Sequence, residues 1–305
     1  MLRMPIPVPP ARRLIVTALA AALVAACGGS TSVTPAPATP ANPTPVIPSP
    51  SASPQDGGTY WLRMSIWQAI PPVNLFELGN AAIIDGAGLS VVPGAVAAIY
   101  PGPLVMPLFA RQVSDTGRET ILGWAHELGL LSGKTDFTDG AGMPGGMTGR
   151  IELTVDGRLV TLTGIPDMVA PDPEPGSPQA FGELWRRVAA LPETLPAELG
   201  PEAPYVPSAY AILVGPAPEP EAGMQANLAD WPLETPLATF GGPVQDGSYR
   251  CGIVEGEDAV TLRPALEAAN QLTQWVQDPE TSATFGLTVR AIVAGENPCL
   301  EVFGL

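Results

Sequence analysis

From Tyr60 to Ile70 the chain sets Tyr60, Leu62, Met64 and Ile66 against Trp61, Arg63, Ser65 and Trp67, an alternation that predicts a strand with apolar groups on both faces. Residues 81–84 and 89–92 flank Asp85-Gly86-Ala87-Gly88, a hairpin pattern, and another strand is expected within 105–113. Ser114 or Asp115 then caps a helix to Leu128, with Ile121, Leu122, Ala125 and Leu128 on one face and Gly129 as its stop. Residues 150–155 and 158–163 meet at Asp156-Gly157, the clearest hairpin of the sequence.

After a proline-rich break at 166–178, Ser177 and Pro178 open a second helix to about Leu191. Residues 210–214 form a short strand, 216–236 read as irregular, and 248–254 form a strand carrying Cys251. A third helix is expected over 256–271, kinked or delayed by Pro264, and a long final strand over 281–293. Strands joined by tight Asp-Gly turns, with helices between groups of strands, predict an α+β fold of mostly antiparallel sheet with about three helices. Residues 109–163 and 249–293 share an order of strand, acidic cap, helix and strands, which leaves two similar subdomains, 58–191 and 205–305, or a coincidence of a common pattern.

The first 57 residues follow different rules. Arg12 and Arg13 precede an apolar run from Leu14 to Ala26, then Cys27, Gly28 and Gly29. Cationic, apolar and small-residue regions in that order predict an export signal over 1–26, and the run is shorter than the roughly 20 residues that cross a bilayer. Val24-Ala25-Ala26-Cys27 resembles the lipobox of bacterial lipoproteins, with valine where leucine is commoner. The resemblance implies a diacylglyceryl thioether on Cys27, an acylated mature N-terminus and a lipid-anchored protein on the extracytoplasmic face of a cell membrane. Two or three acyl chains make such an anchor durable, since each buried CH₂ contributes only about 0.8 kcal/mol. Residues 27–57 are rich in Pro, Ala, Ser and Thr and uncharged before Asp56, a composition expected to stay extended between anchor and globular region.

Charge narrows the function. The 305 residues carry 14 Lys+Arg and 30 Asp+Glu, a formal charge of −16, and loss of Arg3, Arg12 and Arg13 with the leader moves it to −19. Such a chain repels phosphate backbones and anionic lipid, so neither nucleic acid nor a polybasic membrane contact is expected. Lys134 is the sole lysine and His126 the sole histidine, which removes histidine-rich metal sites and most lysine chemistry. With Cys27 assigned to lipid, Cys251 and Cys299 remain. In an exported chain they are expected to form a disulfide closing a loop of 48 residues, the alternative being two buried thiols.

Several motifs fail on context. Gly140-Ala-Gly142-Met-Pro-Gly145 matches a dinucleotide fingerprint, but it lacks the preceding strand and the following helix. Gly129 to Thr135 is a residue short of a phosphate loop and leads into no helix. No nucleotide or other cofactor is expected. Asp136 and Asp139 are weak calcium candidates in one short loop without EF-hand spacing, and Glu255, Glu257 and Asp258 suit a helix N-terminus. No serine sits in a Gly-x-Ser-x-Gly elbow or a Ser-x-x-Lys pair. Most of the six tryptophans are expected in the core, with Trp231 and Trp275 the candidates for an exposed cleft. The expected function is a non-enzymatic binding or envelope-associated module for an envelope or extracellular ligand. The alternative is an extracytoplasmic hydrolase of wall or carbohydrate polymer that uses two carboxylates.

Overall fold

The computed structural model describes residues 60–67, 71–138, 147–220, 222–277, 283–293 and 295–305. They form an α+β fold with two mostly antiparallel sheets. In chain order the elements begin with β1 (Tyr60–Trp67), α1 (Pro72–Leu78), β2 (Asn80–Asp85), β3 (Leu89–Pro93), β4 (Leu108–Gln112) and α2 (Asp115–Glu127). They continue with β5 (Asp136–Phe137), β6 (Thr148–Val155), β7 (Arg158–Gly164), α3 (Pro178–Ala189), α4 (Leu191–Thr194), β8 (Ala203–Pro204) and β9 (Ala209–Pro216). The last are β10 (Asn227–Asp230), β11 (Gly242–Val244), β12 (Tyr249–Glu255), α5 (Gly256–Ala268), β13 (Thr273–Val276), β14 (Thr284–Ala291) and α6 (Pro298–Phe303).

One sheet has eight strands in the order β5-β7-β6-β1-β2-β3-β4-β8. Its helix-covered face buries Leu62, Met64, Ile84, Ile151 and Leu153 against Ile121 and Ala125 of α2 and Phe181 and Leu184 of α3. The other sheet has six strands in the order β10-β13-β14-β9-β12-β11. Its central β9 is buried from Ala209 to Val214, because α5 and the tryptophans cover one face while α1 and the Cys251–Cys299 bridge cover the other. Such a strand reads as a continuous apolar run.

The local signals hold where the physics is local. The Ser114 hydroxyl accepts from the Gly117 N–H at 3.0 Å and caps α2, and Ser177 accepts from Ala180 N–H at 3.2 Å and caps α3. Asp85 accepts from the N–H groups of Ala87 and Leu89, both at 2.8 Å, and so shapes the β2–β3 turn. Asp156 and Gly157 take the two positive φ values, 49° and 72°, that a two-residue hairpin loop requires.

Other expectations change. The three long helices α2, α3 and α5 are joined by three short ones, each with a proline in its first turn, where a missing N–H costs nothing. Residues 216–236 are not wholly irregular, since β10 lies there and pairs in parallel with β13. Pro264 sits inside α5 rather than delaying its start, and the helix ends at Ala268, not Gln271, so that the chain can turn into β13. The two segments with a similar order of elements are connected differently. After α2 and β5 the chain enters β6, which pairs directly with central β1; after α5 it enters β13, one place away from central β9, which β14 adjoins.

Candidate functional site

The Asp156-Gly157 turn sets the register of β6 and β7, pairing Val155 with Arg158 and Ile151 with Leu162. The main-chain groups of Arg158, Val160 and Leu162 therefore face β6, and the two-residue period turns those of Leu159, Thr161 and Thr163 outward. Thr163 donates its N–H to the Thr135 carbonyl at 2.8 Å. The edge strand β5 covers only Thr163 and Gly164 of β7. Beside Leu159 and Thr161 no strand follows among the described residues, and a groove of about 820 Å³ runs there. Leu130, Leu131, Val155 and Val160 give it apolar walls, while His126, Lys134, Asp136 and Asp156 supply polar groups.

The chemistry of those groups is modest. His126 is exposed in the last turn of α2. Lys134 donates to the Gly176 carbonyl at 3.3 Å and stands 4.9 Å from the centre of the Phe137 ring. Asp136 is exposed, and its Oδ1 accepts from the Thr138 N–H at 2.9 Å and hydroxyl at 2.7 Å. That N–H above all, then the hydroxyl, holds its carboxyl below the ordinary carboxylate value, which suits an anion and not a proton donor. The groove can hold a ligand through apolar walls, charges of both signs and free main-chain groups.

A second polar centre lies between the sheets, where Arg63, Ser65, Asn80, Arg150 and Arg290 line a pocket of about 170 Å³. Arg63 donates to Glu152 at 2.6 Å and to Glu301 at 2.8 Å. Glu296 accepts from Asn80, Arg290 and the Val293 N–H, tying β2 to β14. Burial pushes the Glu296 carboxyl up, against the pull of Arg290 and the Val293 N–H. Arginine binds each of these three carboxylates, and the cluster joins the sheets. Sequence reading missed it: Arg63 is a polar position of β1, and its partners Glu152 and Glu301 lie 89 and 238 residues away.

Of the residues singled out in the sequence, Cys251 and Cys299 form a disulfide between β12 and α6, with 5.7 Å between their Cα atoms. His126, Lys134 and Asp136, noted for separate reasons, line one groove. Cys27, Asp139 and the Gly140 to Gly145 run lie outside the described residues. Gly129 stops α2 at φ 67°, and the residues directly after Thr135 form β5 and not a helix. Glu257 and Asp258 occupy the first turn of α5.

Trp231 and Trp275 are not exposed: they are 7% and 0% accessible and meet edge to face at 5.9 Å under α5. The irregular segments flanking them fold back as β10 and β13, and this pairing carries both rings inward. Among the described residues, no three His, Cys, Asp or Glu side chains converge as a metal site, and no helix is long and apolar enough to cross a membrane. Comparisons with protein-family models, curated proteins and solved structures found no match to this chain.

Proposed function

We propose that this chain is a binding module held outside the cytoplasm by lipid on Cys27, carried on the 27–57 spacer, and that the groove beside β7 takes its ligand. The observation that carries the reading is the groove itself: about 820 Å³, apolar-walled, and, among the described residues, with an uncovered strand edge and no buried carboxylate pair lining it. A cleft with apolar walls and a few polar groups is the usual form of a binding site. The lipobox resemblance, the proline-rich spacer and a disulfide suited to an oxidising compartment support the location.

The hydrolase alternative has less support. A glycoside hydrolase needs one carboxyl kept protonated beside a second that is free. Asp136 in the groove is held low, Glu152 and Glu301 share the guanidinium of Arg63, and Glu296, whose carboxyl burial pushes up, is closed off from solvent and bonded to Arg290, Asn80 and the Val293 N–H.

Two experiments test the reading. Mass spectrometry of the mature N-terminus is expected to find Cys27 acylated, and Cys27→Ser is expected to move the protein from the membrane to the aqueous fraction; an unmodified, uncleaved N-terminus overturns the anchor. Pull-down from envelope extracts and a glycan array are expected to yield a ligand whose binding falls at least tenfold in Leu159→Asp. Empty results in both overturn the binding role.

A further inference from the structure

The four outer edges of the two sheets are not alike. The edge strand β8 is two residues long and ends in Pro204; β11 contains Pro243; β10 is four residues long and ends in Asp230. Short strands, prolines and charges are the ordinary means of keeping an edge from pairing with other chains. The remaining edge has a gap among the described residues. β5 shields two residues of β7, and Leu159 to Leu162 beyond it contain neither proline nor charge. Leu159 is 53% exposed, so the gap also presents an apolar side chain.

Accepting that the groove is the binding site, we infer that its ligand is an extended polypeptide segment of another protein, which adds to β7 as a strand in line with β5. The outward groups of Leu159 and Thr161 repeat about every 6.8 Å, two residues of strand, and offer a donor and an acceptor each time. An extended main chain returns that pattern; sugar hydroxyls do not repeat it. Thr163 and Thr135 already make the first bond of this ladder, so an incoming strand extends existing pairing. Alternate side chains of the added strand fall toward the half-buried Leu131 and Val160 on one side, which gives the site a preference for apolar residues at every second position.

Other occupants fit less well. This chain's own spacer carries Pro35, Pro37, Pro40, Pro43, Pro45, Pro48, Pro50 and Pro54, which removes ladder donors along its length. A second copy, with the leader removed, brings its own formal charge of −19 toward that of the first.

The test uses the full chain and a fluorescein-labelled (Thr-Val)4 peptide, with the same peptide fully N-methylated as its control. Amide exchange followed by NMR is expected to show Leu159 and Thr161 unprotected in the free protein, with Val160 and Leu162 protected by β6. Adding the peptide is expected to slow Leu159 and Thr161 at least tenfold, and the N-methylated peptide is expected to have no effect. Thr161→Pro removes an outward N–H and no bond to β6, and an edge strand tolerates proline at such a position, so it is expected to keep the unfolding temperature and weaken peptide binding at least tenfold.

Equal binding of the two peptides, protection of Thr161 in the free monomer, or no protection at millimolar peptide overturns the inference. Protection that grows with protein concentration alone, alongside dimers in sedimentation, assigns the edge to a second copy and overturns it too. If the strand mode fails while the pull-down or the glycan array still yields a ligand sensitive to Leu159→Asp, the binding role stands without it.

Discussion

Arg63 and Glu301 are 238 residues apart in sequence and 2.8 Å apart in space, so the first strand of the eight-stranded sheet is bonded to the last helix of the chain. Arg63 also holds Glu152, and the Arg63 and Glu152 side chains are only 8% and 10% exposed. Burial opposes the charge on Arg63, but Glu301 and Glu152 outweigh it and drive its pKa up. Removing one member of a buried pair leaves the other charged and unsolvated, at a cost of about 3–5 kcal/mol. Arg63→Ala is therefore expected to destabilise the fold by about that much in urea unfolding. Arg63→Met with Glu152→Leu, which removes the two most buried charges and leaves the more exposed Glu301, is expected to recover most of it; a double variant as unstable as the single one refutes the role of the Arg63–Glu152 pair.

The disulfide anchors α6, which carries Glu301. Its loop spans 48 residues, for which the chain-entropy relation gives about 4 kcal/mol. Cys251→Ser with Cys299→Ser is expected to lower unfolding stability by roughly 2–5 kcal/mol. Since the same bridge holds α6 against β12, reduction should also speed amide exchange in residues 298–303 more than in β6. Uniform change across the chain speaks against that local role.

Acid should weaken α3 through Glu183. This carboxylate accepts from Arg186 at 2.7 and 2.9 Å and from Arg187 at 2.8 Å. The hydrogen bonds from Arg186, ahead of other causes, hold it down to about 2 from an ordinary value of 4.5. A carboxyl lowered in the folded state adds stability above its unfolded pKa and loses it as pH falls through the folded one. The stability difference between the native chain and Glu183→Gln is expected to be constant above about pH 5 and to shrink between pH 4.5 and 2. Urea titrations across that range check it, and a pH-independent difference contradicts it.

Two helix glycines should respond in opposite directions to alanine. A Cβ on Gly182 of α3 meets the Met168 carbonyl oxygen at 2.0 Å, whereas one on Gly123 of α2 meets nothing within 4 Å. Gly123→Ala is expected to stabilise by about 0.5–1 kcal/mol through helix propensity. Gly182→Ala is expected to destabilise by about 1–3 kcal/mol, because backbone must move to admit the methyl group. Thermal unfolding of the two variants reads both signs.

What was legible in the sequence was what neighbouring residues decide together. Ser114, Ser177 and Asp156-Gly157 act within four residues of themselves: cap, apolar face and Gly129 together marked α2, and Ser177 with Pro178 marked the start of α3. The Cys251–Cys299 pair was legible for a different reason: with one cysteine set aside, only one pairing was left. The short helices α1, α4 and α6 carried a signal in their prolines, but a proline that opens a helix and one that breaks a strand look the same without their surroundings.

The tertiary structure alone decided which polar residues meet and which edge stays open. Arg63 does not announce Glu152 or Glu301, since long-range pairing depends on the whole path of the chain between them. Trp231 and Trp275 are buried because β10 and β13 lie side by side, a parallel pairing that no turn encodes. Beside Leu159 and Thr161 no strand follows among the described residues: local sequence fixes how β7 runs, and only the assembled sheet determines whether anything lies there.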